Sequence, residues 1–362
     1  MTAVDEISVL LERARAAGFA VGWAALAARS GRRGRCWCSG AGALAGPPVD
    51  PALLWDLASL TKPLATATLL LLACRDGLDL DAPIGGLLPE LAGSPWHDVS
   101  FARCATHTAG LPAWEPLYAS GGLSRESYLE ALAQVPPAAP AGTAVIYSCL
   151  GFIALGLALE RAGGADLATL FGELVAAPLG IGAELVFAPP RAASVAAGAR
   201  SPLTEQRLLA ERGLTCAPPP PLPAAHSCDD GNARGLGGCA GNAGLFGTAA
   251  AVATLAGEYL PGGGELITRE EAERATRCLT PGLGQARGLG WQLGATPGAS
   301  AGPALSAAAF GHTGFTGTSM WADPETGGVY VLLGNRLHPG SRAPDLHPLR
   351  RRFHALAAQP GV

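Results

Sequence analysis

"DLASLTKPLATATLLLL", residues 56–72, holds the only lysine of a 362-residue chain whose 25 basic residues are otherwise all arginine. Ser59 and Lys62 stand three apart, so on a helix they share a face and their side chains can meet. Pro63 places the helix start, because its ring would clash with the carbonyl of residue 59 inside an established helix. Ser59 is therefore expected at or just before the first turn. There its hydroxyl lies beside free backbone N–H groups and the positive end of the helix dipole, which favours negative charge building up on an attacked carbonyl oxygen. A serine hydroxyl needs a base to become a nucleophile, and a buried lysine whose pKa falls toward neutrality can be that base. Arginine cannot, since its guanidinium stays charged. A surface lysine could have become arginine under the bias of this chain, whereas one that must lose a proton could not.

The bulk composition fits one large or two fused globular domains: 49% hydrophobic residues, 15% charged and 50 glycines, with an excess of Ala, Gly, Arg and Pro that reads as nucleotide bias. A net charge of −4 without a lysine-rich run gives no electrostatic reason to expect nucleic acid or an anionic membrane as partner. The triplet Arg350–Arg352 is read as the wet face of a terminal helix. At the N-terminus Asp5, Glu6 and Glu12 interrupt what a secretory signal would need, and the stretch reads as an amphipathic helix. The longest apolar runs, Leu64–Cys74 and Leu150–Leu159, are shorter than a membrane span. A soluble cytoplasmic protein with nine reduced cysteines is expected. Cys36 and Cys38 share a face of one strand and are read as buried thiols rather than zinc ligands.

Around the lysine stretch the organisation is uneven. "FAVGWAALAA" and "RCWCSGAGAL" flank "RSGRRG" as a β-hairpin. From Ser59 to about Leu279 helical segments alternate with Pro/Gly loops, including a stiff surface loop at Pro218–Pro223. Strands return in "GLGWQLG", "AAAFGHTG", "GTSMWADP" and "GVYVLLGN", before a final helix near Ala343–Ala358. This order predicts an α+β fold: an antiparallel sheet flanked by helices and built from both chain ends, residues 1–58 and 283–362. A mostly helical domain, residues 59–282, is inserted between them, with the nucleophile helix at the interface.

Two further segments bear on Lys62. "AVIYSCLGFIALGLALE" places Tyr147 and Ser148 at the bend into an apolar helix, and "FGHTGFTGTSMWADPETGGVYVLLGN" carries His312, Thr313 and Gly314 on a strand. With "SLTK", these occur in the order and approximate spacing of Ser-x-x-Lys, Tyr- or Ser-x-Asn and Lys- or His-Thr-Gly, so the chain resembles the serine β-lactamase and penicillin-binding-protein family. "THTAGLP" at 106–112 and "GLGGCAGNAGLFGTA" at 235–249 are similar to segments of its class C and esterase-like branch. The resemblance implies the β-lactamase/transpeptidase-like fold, Ser59 as acylated nucleophile, Lys62 as its base, and Tyr147 sharing protons with that lysine. It implies an oxyanion hole from the backbone N–H groups of Ser59 and Phe315, with His312 in the place of the third-motif lysine. Gly314 then keeps space for an acyl group along the strand.

Other readings of these residues stay open. Tyr147 can be a half-buried aromatic with a satisfied hydroxyl, and His312 a neutral strand histidine bonding a neighbour. His107 reads as a loop brace; Asp229, Asp230 and Asn232 read as caps rather than metal ligands. Cys149 departs from the family's asparagine and cannot supply an amide's donor and acceptor, which disfavours β-lactam turnover. His312 near pH 7 leaves the site without a fixed cation for a substrate carboxylate, which favours neutral esters. The reading is a serine hydrolase acting on a small-molecule ester, less readily an amide or lactam, or transferring the acyl group to an alcohol or amine. No cofactor and no metal are expected. A β-lactamase or D-amino-acid peptidase, and a non-catalytic binding protein that keeps the fold, are the rivals.

Overall fold

A computed structural model describes residues 2–29, 32–120, 122–200, 203–211, 213–215, 226–262, 264–340 and 344–362. Among the described residues nine strands follow in chain order: β1 Gly22–Arg29, β2 Arg32–Gly40, β3 Trp55–Asp56, β4 Leu185–Phe187, β5 Leu245–Gly247, β6 Gln292–Leu293, β7 Phe310–Thr313, β8 Ser319–Asp323 and β9 Gly328–Gly334. Six of them form one antiparallel sheet in the order β2-β1-β9-β8-β7-β6. Its two N-terminal strands join the four C-terminal ones where β1 pairs with β9, Trp23 opposite Gly334 and Arg29 opposite Gly328. The sheet from both chain ends is thus present, and with its helices it is the β-lactamase/transpeptidase-like fold.

The sheet is covered on both faces, which is why β9 reads as the unbroken apolar run "VYVLLG". Val329, Val331 and Leu333 face the helices of the middle of the chain. Tyr330 and Leu332 face the two terminal helices, Ala3–Ala16 and His347–Ala357, through Ile7, Leu11, Leu349 and Phe353. The first of these helices starts on a reciprocal cap, Thr2 with Asp5, and buries Ile7, Leu11 and Ala14 at helical spacing.

A second, three-stranded sheet, β3-β5-β4, was not expected: it joins the residues just before Ser59 to two strands within the helical stretch. Its strands of two and three residues are too short to show a two-residue periodicity. It carries the functional geometry: Trp55 pairs with Gly247, Asp56 with Phe246, and the Leu57 N–H donates to the Leu245 carbonyl at 3.0 Å. The chain leaves β3 directly into the turn bearing Ser59.

Two readings are corrected here. Cys36 and Cys38 are exposed, because β2 is an edge strand and only Trp37 between them reaches the layer of terminal helices. Arg350 is not on the wet face of its helix: it is half-buried and donates to the carbonyls of Gly314 and Thr318 at 2.8 and 2.9 Å. Arg352 does face outward, paired with Glu6. The Pro218–Pro223 loop and residues 341–343, at the expected start of the last helix, lie outside the described residues.

Candidate active site

Ser59 sits in a single tight turn, Ala58–Leu60, followed by a widened helical stretch, Lys62–Ala67, and an α-helix, Thr68–Arg75. The widened turns accommodate Pro63, which has no N–H to give and whose ring crowds a regular turn. Ala58 takes a positive φ of 48°, costly for a side chain with a Cβ. The surroundings hold it there. Asp56 is buried and its two carboxylate oxygens accept the Ala58 and Asp229 N–H groups, each at 2.8 Å. Thr316 and Thr318 donate to the Asp56 and Leu57 carbonyls at 2.7 and 3.1 Å, tying the nucleophile turn to the loop after β7.

The Ser59 Oγ lies 3.0 Å from Lys62 Nζ and accepts from the Tyr147 hydroxyl at 2.8 Å. Lys62 is fully buried and its amine also contacts the Asn242 carbonyl at 3.0 Å and Cys149 Sγ at 3.4 Å. Those three contacts match the three hydrogens of an ammonium. A neutral amine fits too, since only the Asn242 carbonyl must accept, and either hydroxyl or thiol can donate to the nitrogen lone pair.

Burial disfavours the Lys62 ammonium, but the attraction of the Cys149 and Tyr147 groups beside it favours the charge more, and the net direction is upward. The fall toward neutrality expected from burial alone is corrected accordingly. Burial raises the Tyr147 phenol as well, with the Lys62 charge pulling the other way. Amine with phenol and ammonium with phenolate hold the same number of protons, so Lys62 and Tyr147 are best described as one proton-sharing unit bearing on a single hydroxyl.

Tyr147 is placed by the helix Cys149–Gly163, capped by Ser148, whose hydroxyl accepts from Leu150 N–H at 3.1 Å. His107, with φ 60°, braces this bend: its Nδ1 accepts the Ser148 N–H at 3.0 Å and its ring packs 4.7 Å from that of Tyr147. His312 Nδ1 meets the Thr313 carbonyl at 2.8 Å, and burial with the charges of Arg287 and Lys62 pushes its pKa well below the usual histidine value. It is a neutral imidazole. Thr313, Gly314 and Phe315 continue along the rim, and the Phe315 N–H has no acceptor among the described residues. Gly314 is required by the protein itself: a Cβ there would fall 1.9 Å from Thr318 Oγ1 and 2.7 Å from the Leu57 carbonyl. Asp230 caps the short helix Gly231–Gly235 through Ala233 N–H, and Asp229 accepts from Ala199 N–H.

Ser59, Tyr147, Cys149 and the His312–Phe315 stretch all border one cavity of about 590 Å³. The sequence-level reading missed Asp56, whose partner Asp229 is 173 residues away. It also missed Arg287, which lines the cavity at 6% exposure. The expectation of a site without a fixed cation is therefore wrong. Burial brings the Arg287 guanidinium down only to about 10, so it remains charged at neutral pH.

A serine whose hydroxyl is shared by a lysine and a tyrosine, on a turn beside an antiparallel sheet, defines the class: the protein is a serine hydrolase. The chain belongs to the β-lactamase family, whose model matches residues 10–355. Over 319 residues it is 28% identical to a putative D-alanyl-D-alanine carboxypeptidase of Escherichia coli K12, covering 82% of this chain and 72% of that protein. A 155-residue stretch is 36% identical to esterase EstB of Burkholderia gladioli, 38% of this chain and 39% of the esterase. Among solved structures, EstCE1, described as a hydrolase with promiscuous acyltransferase activity, superposes with a TM-score of 0.76 at 22% identity over 98% of both chains. A class C β-lactamase gives 0.75 at 18% identity over 99% of this chain and 97% of that one. These last two likenesses establish the fold.

Proposed function

We propose that this serine hydrolase acts on carboxylic esters, with Ser59 as the acylated nucleophile and Lys62 and Tyr147 as its proton-transfer pair. The observation that carries the reading is the convergence of Lys62 Nζ and Tyr147 Oη on Ser59 Oγ, at 3.0 and 2.8 Å. The Ser59 oxygen attacks the ester carbonyl while its proton passes to the Lys62–Tyr147 pair. The negative oxygen of the tetrahedral intermediate is received by the N–H groups of Ser59 and Phe315. Collapse breaks the bond to the alcohol oxygen, which takes the proton from the pair through Tyr147. Water then attacks the acyl-enzyme, gives one proton back to the pair, and releases the acid as Ser59 regains its hydrogen. An alcohol or amine in place of water makes the same sequence an acyl transfer. The match to EstB supports an ester over a lactam, and Cys149 at the family's asparagine position points the same way.

Intact-mass measurement after exposure to a fluorophosphonate tests this. One adduct on wild type, mapped to Ser59 and absent from Ser59→Ala, is expected. No adduct on wild type would leave a binding protein that keeps the fold, and nitrocefin turnover far above that of p-nitrophenyl esters would move the assignment to a lactamase.

A further inference from the structure

Cys149, which stands where the family has an asparagine, places a thiol against the catalytic amine. It borders the Ser59 cavity and is partly exposed, and its sulfur lies 3.4 Å from Lys62 Nζ, the side-chain amine of the chain's only lysine. It is also the first residue of the helix Cys149–Gly163, at the positive end of the helix dipole. A thiol that is reachable, faces a cation and opens a helix is placed as reactive cysteines are. Other cysteines lack that combination. Cys104 and Cys228 are buried, and burial pushes both thiols up, the first to about 12. Cys36, Cys38 and Cys278 stand on the surface, whereas Lys62 is fully buried.

The amine is as well placed as the sulfur. Its three hydrogen-bond contacts among the described residues are Ser59 Oγ, the Asn242 carbonyl and Cys149 Sγ, and of these the sulfur alone becomes an electrophile on mild oxidation. Sharing one proton with Tyr147 frees the nitrogen lone pair without changing the charge of the site. An electrophile formed at Cys149 therefore meets a nucleophile already in contact with it.

We propose that Cys149 and Lys62 form a reversible redox lock on the active site, closed by a peroxide and opened by a dithiol. In the first step the sulfur attacks hydrogen peroxide and the O–O bond breaks. One oxygen stays on sulfur as a sulfenic acid, and the other takes the thiol proton and leaves as water, so that sulfur loses the two electrons the peroxide gains. In the second step the Lys62 nitrogen forms an S–N bond, the S–O bond breaks, and the departing hydroxide takes a proton from nitrogen and leaves as water. The resulting sulfenamide leaves the protein lighter by two hydrogens. One thiol of a dithiol then attacks the sulfur, the S–N bond breaks, and nitrogen regains its proton; the second thiol releases Cys149 from the mixed disulfide. While the lock is closed Lys62 cannot serve Ser59, and hydrolysis stops. That consequence rests on the acyl-enzyme reading above, whereas the bond itself does not. An asparagine at position 149 would offer a peroxide nothing to oxidise.

Hydrogen peroxide followed by dithiothreitol tests the lock. In wild type, peptide mapping without reductant should find the peptides bearing residues 62 and 149 joined and two hydrogens light. Turnover of a p-nitrophenyl ester should fall at least about ten-fold and return with dithiothreitol to within about two-fold of its starting rate. Cys149→Asn and Cys149→Ser, each compared with its own untreated rate, should change by less than about two-fold. If Cys149 emerges from peroxide in any other state, with Lys62 unlinked, the proposal is overturned without needing a variant to fold. Inactivation of both variants to the same extent as wild type also overturns it. If the link forms and ester turnover persists, or was absent from the start, the S–N bond stands and the role of Lys62 in the acyl-enzyme reading falls.

Discussion

Replacing Asp56 by asparagine should change the stability of the protein in opposite senses at low and high pH. The Asp56 carboxyl is fully buried, and burial first, then the neighbouring Asp229, raises its pKa from 3.8 to about 7. Below pH 3.8 folded and unfolded states both hold the proton, and the group contributes no pH dependence. As pH rises from there to about 7 the unfolded chain releases the proton while the folded one retains it, so stability is lost across that window and the loss is complete above it. At about 1.4 kcal/mol per pH unit the wild type should lose about 4 kcal/mol between pH 4 and pH 8 through this carboxyl and the Asp229 charge it shares. Asparagine abolishes that titration. It also keeps one acceptor oxygen where the aspartate offered two, and turns an NH2 toward one of two backbone N–H donors, costing about 1–3 kcal/mol at every pH. Asp56→Asn is therefore expected to be less stable than wild type at pH 4 and level with it or more stable at pH 8. Urea unfolding of both proteins at the two pH values measures this. A difference between them that stays within about 0.5 kcal/mol from pH 4 to pH 8 would refute the buried ionisation.

Two other substitutions probe the reacting end of the cavity. Lys62→Arg keeps the positive charge but supplies no removable proton, so ester turnover should fall by about 10²–10⁴-fold while circular dichroism stays that of wild type; activity within a few-fold of wild type would remove Lys62 from the proton pathway. Gly314→Ala places a methyl against Thr318 Oγ1 and the Leu57 carbonyl, both of which anchor the nucleophile turn, and should cost about 1–3 kcal/mol in thermal unfolding together with most of the activity; an unchanged melting temperature would show that the turn and the rim yield freely.

What could be read from the sequence was what chemistry had written locally. Ser59 and Lys62 meet because three residues of helix bring them together, and Pro63 marked where that helix begins. Tyr147 was legible because a capping serine and an apolar helix follow it at once. The sheet from both chain ends was legible in the strand-turn-strand pattern of residues 310–334 and in the N-terminal hairpin. Asp56 stood inside the decisive stretch and still went unread, because its meaning depends on Asp229, far along the chain. Arg287 sits in "GQARGLG", one arginine among 24, and only burial beside Tyr147 singles it out. Arg350 shares a helix with the buried Leu349, Phe353 and Leu356, on the border of that face, and the carbonyls that attract it come from the loop after β7. Cys36 and Cys38 alternate with a buried tryptophan as core residues would, and only their place on an edge strand exposes them.

The distribution of cations in the site gives the lone lysine its physical sense. An arginine at position 62 would satisfy the Asn242 carbonyl and could reach Ser59, yet its charge could never move, and Tyr147 would then have no partner with which to exchange a proton. At position 287 a fixed charge is what the geometry asks for, since the guanidinium sits beside the proton-sharing pair and acts on it by field alone. Burial first, and after it the repulsion of Arg287 and Lys62, pushes the pKa values of His107 and His312 well below the usual histidine value, so those two imidazoles stay neutral while Lys62 and Tyr147 trade one proton.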